Sequence, residues 1–170
     1  MEFNLKTLKV LFTSSILSLA LAGNLYAEES TGDCIMVPNL NVEFKNDSTV
    51  YMTADERKEI TEFAKFIKDT DLYAVIEGHT SKYATATYNA KLSSDRAIKV
   101  RAELIKLGVK PSQVKAIGFG ESSPLYDNNT EIGAQKNRRV IAEVFNSAAE
   151  LSEYTSSEKT RIASIKYKEQ

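Results

Sequence analysis

The chain has 170 residues with 22 basic and 23 acidic side chains, one histidine and one cysteine, and a formal net charge of −1. So even a balance excludes a nucleic-acid partner, which would need a basic excess on one face. A lone histidine and a lone cysteine cannot furnish a nitrogen and sulfur set for a transition metal, and no cofactor is expected.

Residues 1–27 read as a secretory signal peptide: Lys6 and Lys9 precede an apolar segment from Val10 to Ala22, which leads into small residues. The segment is shorter than the ~20 residues a spanning helix needs and carries charge only on its amino side, so no integral span is expected in the mature chain. An uncleaved anchor is the alternative. Cleavage is placed after Ala27, where Glu28 and Glu29 open a polar stretch, with Ala22 as the alternative. Leu21-Ala22-Gly23 is followed by Asn24 where a lipid-bearing cysteine would stand, so no lipid anchor is expected. Loss of Glu2, Lys6 and Lys9 with the leader takes the net charge from −1 to −2. The mature chain is expected outside the cytoplasm, in an oxidising compartment. Disulfides form there, and Cys34 is either an incidental thiol or one half of an intermolecular bridge.

Residues 28–39 read as a flexible lead-in, 40–146 as one domain and 147–170 as a C-terminal extension. Leu40 to Phe44 alternates apolar and polar residues and predicts a half-buried strand. Asn46-Asp47-Ser48 supplies a turn, and Thr53-Ala54-Asp55-Glu56 matches a capping box that should start a helix. Ile60, Phe63, Ala64 and Ile67 carry its apolar face to about Lys68. Leu72 to Ile76 is a continuous apolar run, read as an interior strand that delivers Gly78-His79-Thr80-Ser81 at its carboxyl end. The strand, helix, strand order predicts a right-handed crossover and parallel pairing.

A second helix is predicted over Tyr88–Leu107, with Ala97, Val100, Leu104 and Leu107 on one face and Gly108 closing it. A third strand runs through Val114 to Gly118, a short helix ends near Gln135, and alternation from Arg139 to Phe145 gives a last strand. The fold class is α+β, with helices packed on one side of a mixed four-stranded sheet. Beyond it, Leu151, Thr155, Glu158, Ile162 and Ile165 share a helical face that is only partly apolar. The tail is read as a solvated extension, with a short docking helix as the alternative.

The junction from Gly78 to Arg96 is where an open sheet presents polar groups to a ligand. His79 would be the only base for a nucleophilic triad, and neither a serine nor an orienting carboxylate can be assigned to it, so no enzyme is expected. Its bland reading is that His79 and Thr80 satisfy backbone groups at the strand end. Gly118-Phe119-Gly120 lacks the third glycine of a nucleotide loop. Arg96, Arg138 and Arg139 could hold a carboxylate bidentately or form structural ion pairs with Glu77, Asp95 or Glu143.

Glu77-Gly78-His79-Thr80, Tyr88-Asn89, Leu92-Ser93, Arg96-Ala97, Gly108-Val109, Gly118, Gly120-Glu121, Pro124, Asn129-Thr130, Gly133 and Asn137-Arg138-Arg139-Val140 together resemble the OmpA-like peptidoglycan-binding domain. The resemblance implies a β-α-β-α-β(α)-β sandwich, located in the periplasm and associated with the cell wall or outer membrane. It also implies a pocket for the diaminopimelate part of the peptidoglycan stem peptide, lined by His79, Thr80, Ser81, Asn89, Arg96 and Arg138. Arg96 would hold the ligand carboxylate, and an aspartate following Gly-His-Thr would hold its ammonium. Here Ser81 stands in place of that aspartate, and Ala84 in place of a glycine three residues later. Two functions are therefore expected as alternatives: a wall-binding module, weakened at Ser81, or an assembly scaffold for another envelope protein that keeps the fold without wall binding.

Overall fold

The computed structural model describes residues 36–165; the leader, its cleavage site and Cys34 lie outside the described residues. The elements are β1 (Asn41–Glu43), α1 (Glu56–Thr70), β2 (Tyr73–Gly78), α2 (Ala86–Lys106), β3 (Val114–Gly118), α3 (Glu131–Asn137), β4 (Arg139–Phe145) and α4 (Ala148–Ser164). The sheet is mixed and its order is β1-β4-β2-β3. β2 pairs in parallel with β3, Ile76 opposite Ala116, and antiparallel with β4, Ile76 opposite Ala142.

The expected parallel pairing of β1 with β2 is not made. β4 inserts between them, pairing antiparallel with both, Val42 opposite Val140 on one side and Gly78 opposite Val140 at the end of the other. The chain-final strand thus closes the sheet at its centre and carries Arg138 and Arg139 to the end of β2.

Helix α1 starts at Glu56, just after the expected position, and the reciprocal capping box does not form. Thr53 Oγ1 accepts from the Asp55 amide at 3.2 Å, while the Glu56 carboxylate reaches the β1 backbone and accepts from the Glu43 amide at 2.9 Å. Tertiary satisfaction of a strand-edge amide takes precedence over the local cap. Between β1 and α1, the Lys45 amide bonds to the Val50 carbonyl at 2.9 Å and closes a tight loop whose apex, Asp47, has φ of 48°. Aspartate is among the few non-glycine residues that tolerate this left-handed conformation.

Two cores flank the sheet. Ala74, Ile76, Val114 and Val140 pack with Ile60, Phe63 and Ile67 of α1 and Ala97, Val100 and Leu104 of α2. Strand side chains alternate in direction, and Val75 joins Ile117, Phe119 and Leu151 in the second core, with Tyr73, Phe145, Tyr154 and Ile162 packed against it. Within the described residues the tail forms the docking helix rather than a solvated extension. Ser147 caps α4 by accepting from the Glu150 amide at 3.2 Å, and the face holding Leu151, Thr155 and Ile162 covers the far side of the sheet. Tyr154 adds a hydrogen bond of 2.6 Å from its hydroxyl to the Glu77 carboxylate.

Leu151 is 1% exposed. Its replacement by Ala is expected to cost about 2–5 kcal/mol in urea unfolding, the range for emptying a packed leucine site. A change within ~0.5 kcal/mol, as for an exposed position, would show that α4 does not dock.

Candidate functional site

Helix α2 crosses the end of β2 and β3 at unusually short range because Gly78 and Gly118 have no side chains. A Cβ on Gly78 would stand 1.9 Å from the Ser93 carbonyl oxygen, and one on Gly118 would stand 2.5 Å from the Ser94 amide nitrogen. Ser93 Oγ then accepts from the Gly120 amide at 2.8 Å, tying helix to loop. Thr85 caps the helix by accepting from the Tyr88 amide at 3.3 Å. These contacts bring the first turns of α2 beside the strand end.

A pocket of about 530 Å³ opens there, within the range of small-ligand sites. Its wall includes Thr80, Ser81, Asn89, Arg96 and Arg138, so five of the six residues expected at the site are brought together. The rest of the wall comes from Asn46 and Asp47 of the β1–α1 loop and from Tyr83, Ala84, Thr85, Tyr88 and Leu92.

Arg96 is 0% exposed, and its guanidinium donates to three carbonyls: Ser48 at 2.9 Å, Lys45 at 3.1 Å and His79 at 3.4 Å. It also lies 5.1 Å from the centre of the Phe44 ring. The expected structural ion pairs for this residue are replaced by neutral acceptors: Asp95 pairs with Lys91 at 2.6 Å, and Glu77 takes the Tyr154 hydroxyl. Burial, and then the neighbouring charge of Arg138, pull the Arg96 guanidinium down to about 10, so it remains charged at neutral pH. Arg138 is held by Gln135 Oε1, 3.1 Å from its Nε, and stands 3.8 Å from Glu131. Arg96 and Arg138 thus line one cavity together with Thr80, whose hydroxyl is buried with no hydrogen-bond partner. The Asn89 amide group donates to the Ala84 carbonyl at 3.1 Å and to Glu121, fixing the loop to the helix.

His79 is the sixth expected residue, and its imidazole is not in the pocket wall. It stacks on Phe119 with ring centres 5.1 Å apart and stands 3.7 Å from the Glu77 carboxylate, both ring nitrogens lacking a hydrogen-bond partner. Only its carbonyl serves the site, as an acceptor for Arg96. The reading in which the His79 and Thr80 side chains satisfy backbone groups is not what is found, since both side chains lack partners. Within Asn137-Arg138-Arg139 the roles also separate. Asn137 Oδ1 accepts from the Leu125 and Tyr126 amides at 3.1 Å each, Arg138 lines the pocket, and Arg139 donates to the Ser123 carbonyl at 3.4 Å.

Burial holds the His79 imidazole below its ordinary range, with Arg139 and Arg161 adding repulsion against the opposing pull of Glu77. The fold therefore favours the neutral ring, while the unfolded chain protonates near pH 6.5. Below that pH the unfolded state binds the extra proton, so stability falls with acid at up to ~1.4 kcal/mol per pH unit. Urea unfolding at pH 5.5 and 7.5 is expected to show this loss, and His79→Gln is expected to remove that part of it.

Fold and site together define a small α+β domain with a pocket, lined by two arginines, at the carboxyl end of its central strand. The chain belongs to the OmpA family, whose pattern matches residues 43–138. It is 40% identical to outer membrane porin F of Pseudomonas fluorescens over 106 residues, which is 62% of this chain and 32% of the porin. It is 30% identical to the peptidoglycan-associated lipoprotein of Pasteurella multocida over 145 residues, 80% of this chain and 97% of that one. Its fold matches the crystal structure of the peptidoglycan-associated lipoprotein from Burkholderia pseudomallei with a TM-score of 0.59 and 27% identity, covering 62% of this chain and 89% of that one. The chain spans 25% and 54% of the lengths of two further relatives, a porin F and the lipoprotein YfiB of Pseudomonas aeruginosa.

Proposed function

We propose that this protein is a non-catalytic module of the cell envelope that holds peptidoglycan non-covalently, through the free amino-acid end of diaminopimelate in the stem peptide. The observation that carries the reading is the pair of arginines, Arg96 and Arg138, lining one pocket beside Thr80, whose hydroxyl is unpartnered. A carboxylate entering that pocket would meet charged donors already fixed in place, the arrangement in which hydrogen bonds contribute most. The names of the peptidoglycan-associated relatives support the same ligand class. Export through a leader cleaved after Ala27 would bring the domain to the periplasm, where the wall lies.

Ser81 offers the ligand ammonium a neutral hydroxyl. Hydrogen bonds to charged groups contribute about 1.5–3 kcal/mol against about 1 for neutral pairs, so without another acid the affinity would fall by about tenfold.

Co-sedimentation with purified peptidoglycan separates the outcomes. Retention on diaminopimelate-type wall, released by free meso-diaminopimelate, is expected. Equal retention on lysine-type wall, which lacks the second carboxylate, would overturn the diaminopimelate assignment. A second reading, a scaffold for another envelope protein, is favoured by the exposure of the apolar side chains Leu125, Tyr126 and Ile132 between β3 and β4. It requires a protein partner to be lost in Leu125→Ser/Ile132→Ser while the wall is not bound by either form.

A further inference from the structure

We propose that Asp47, on the β1–α1 loop, is the residue that receives the ligand's ammonium group, taking over the role that Ser81 cannot fill. The inference rests on the wall-binding reading above and names the second half of its recognition. Asp47 is the one carboxylate among the residues lining the pocket. Other acids near the site are differently placed. Asp95 is paired with Lys91 at 2.6 Å, Glu121 accepts from Asn89, and Glu131 reaches Arg138 from a side chain 88% exposed; none of the three is in the pocket wall.

The position of Asp47 is fixed by the same group that faces the ligand carboxylate. Arg96 donates to Lys45 O and Ser48 O, the carbonyls on either side of Asp47, and so pins the loop against the pocket. The Tyr88 hydroxyl, at the first turn of α2, donates to Asp47 Oδ1. The remaining lone pairs of the carboxylate are available to a ligand, since a carboxylate accepts about four hydrogen bonds. Arg96 and Asp47 thus line one cavity, and their hydrogen bonds go to uncharged partners: carbonyls for the cation and a phenol for the anion. An amino-acid end group, with its carboxylate toward the arginines and its ammonium toward Asp47, supplies each with a charged partner.

The test compares binding of meso-diaminopimelate with that of its N,N′-diacetyl derivative, in which both ammonium groups are neutralised and both carboxylates are kept, by calorimetry on the full chain. The native chain is expected to prefer the free form by about tenfold or more. Asp47→Asn keeps a residue type suited to the left-handed turn and is expected to bind the free form about tenfold more weakly and to lose the preference. Asp47→Asn/Ser81→Asp is expected to regain both, because the acid is returned to the neighbouring wall. Native binding and preference that persist in Asp47→Asn, with thermal unfolding unchanged, would overturn the assignment alone. A native chain that binds neither compound nor the intact wall would overturn the wall-binding reading, and this inference with it.

Discussion

Arg96→Ala is expected to abolish retention on peptidoglycan and to destabilise the domain in the same stroke. The guanidinium is 0% exposed and joins two loops, holding Lys45 and Ser48 after β1 and His79 after β2. Bonds from a charged donor contribute about 1.5–3 kcal/mol each, and the carbonyls left behind are poorly placed to recover water. A loss of about 4 kcal/mol or more in urea unfolding follows, along with a fall in affinity beyond a hundredfold from the loss of both the charge and the pocket wall. Arg96→Lys separates the two effects. Lysine keeps the charge, but a point ammonium cannot serve three carbonyls in a planar fork. A folded protein with wall binding weakened by about tenfold or more is the expected outcome, and native-like binding by Arg96→Lys would show that the fork is not needed.

Gly78→Ala is expected to have an effect of comparable size by a purely steric route. The new methyl would lie 1.9 Å from the Ser93 carbonyl oxygen and 3.3 Å from the Ala97 side chain, so α2 must lift from the sheet. Overpacking against a helix backbone, which has no rotamer to yield, belongs at the costly end of the usual range, about 3 kcal/mol. Since α2 carries Asn89 and Arg96, their spacing from Thr80 and Ser81 on the strand side would change, and wall binding is expected to fall with stability. Ile98→Ala, on the exposed face of the same helix at 53% exposure, serves as the control and should stay within ~0.5 kcal/mol. Gly78→Ala behaving like that control would mean the helix-to-sheet approach is looser than described.

The parts of the fold legible in the sequence were those that local periodicity determines. Ile60, Phe63, Ala64 and Ile67 marked the buried face of α1, and Ala97, Val100 and Leu104 that of α2, as found. Sheet order was not legible, because nothing local to β1 or β2 shows that β4 will insert between them. The docking of α4 was half visible. Its own stripe is thin, but the run from Leu72 to Ile76 is apolar at both parities, which requires cover on both faces of β2, and α4 is that second cover.

The site divides in the same way. The resemblance drew attention to the strand end and α2, and five of its six residues line the pocket. The exception, His79, follows from the two-residue alternation of a strand carried one step further: His79 shares parity with Val75 and Glu77 and joins them on the α4 side. Asp47 was visible only as a turn residue, because its place in the pocket depends on contacts across 48 and 51 positions of sequence, made by Arg96 to the flanking carbonyls of Ser48 and Lys45.

The central claim, that this pocket holds the amino-acid end of diaminopimelate, is tested most directly by titrating the ¹⁵N-labelled protein with free meso-diaminopimelate and following its backbone amides. Saturable shifts are expected at Asp47, Ser48, Thr80, Ser81, Asn89 and Arg138, with those of α4 unmoved. Saturation that leaves these amides unshifted, or shifts gathered instead along α4, would contradict it.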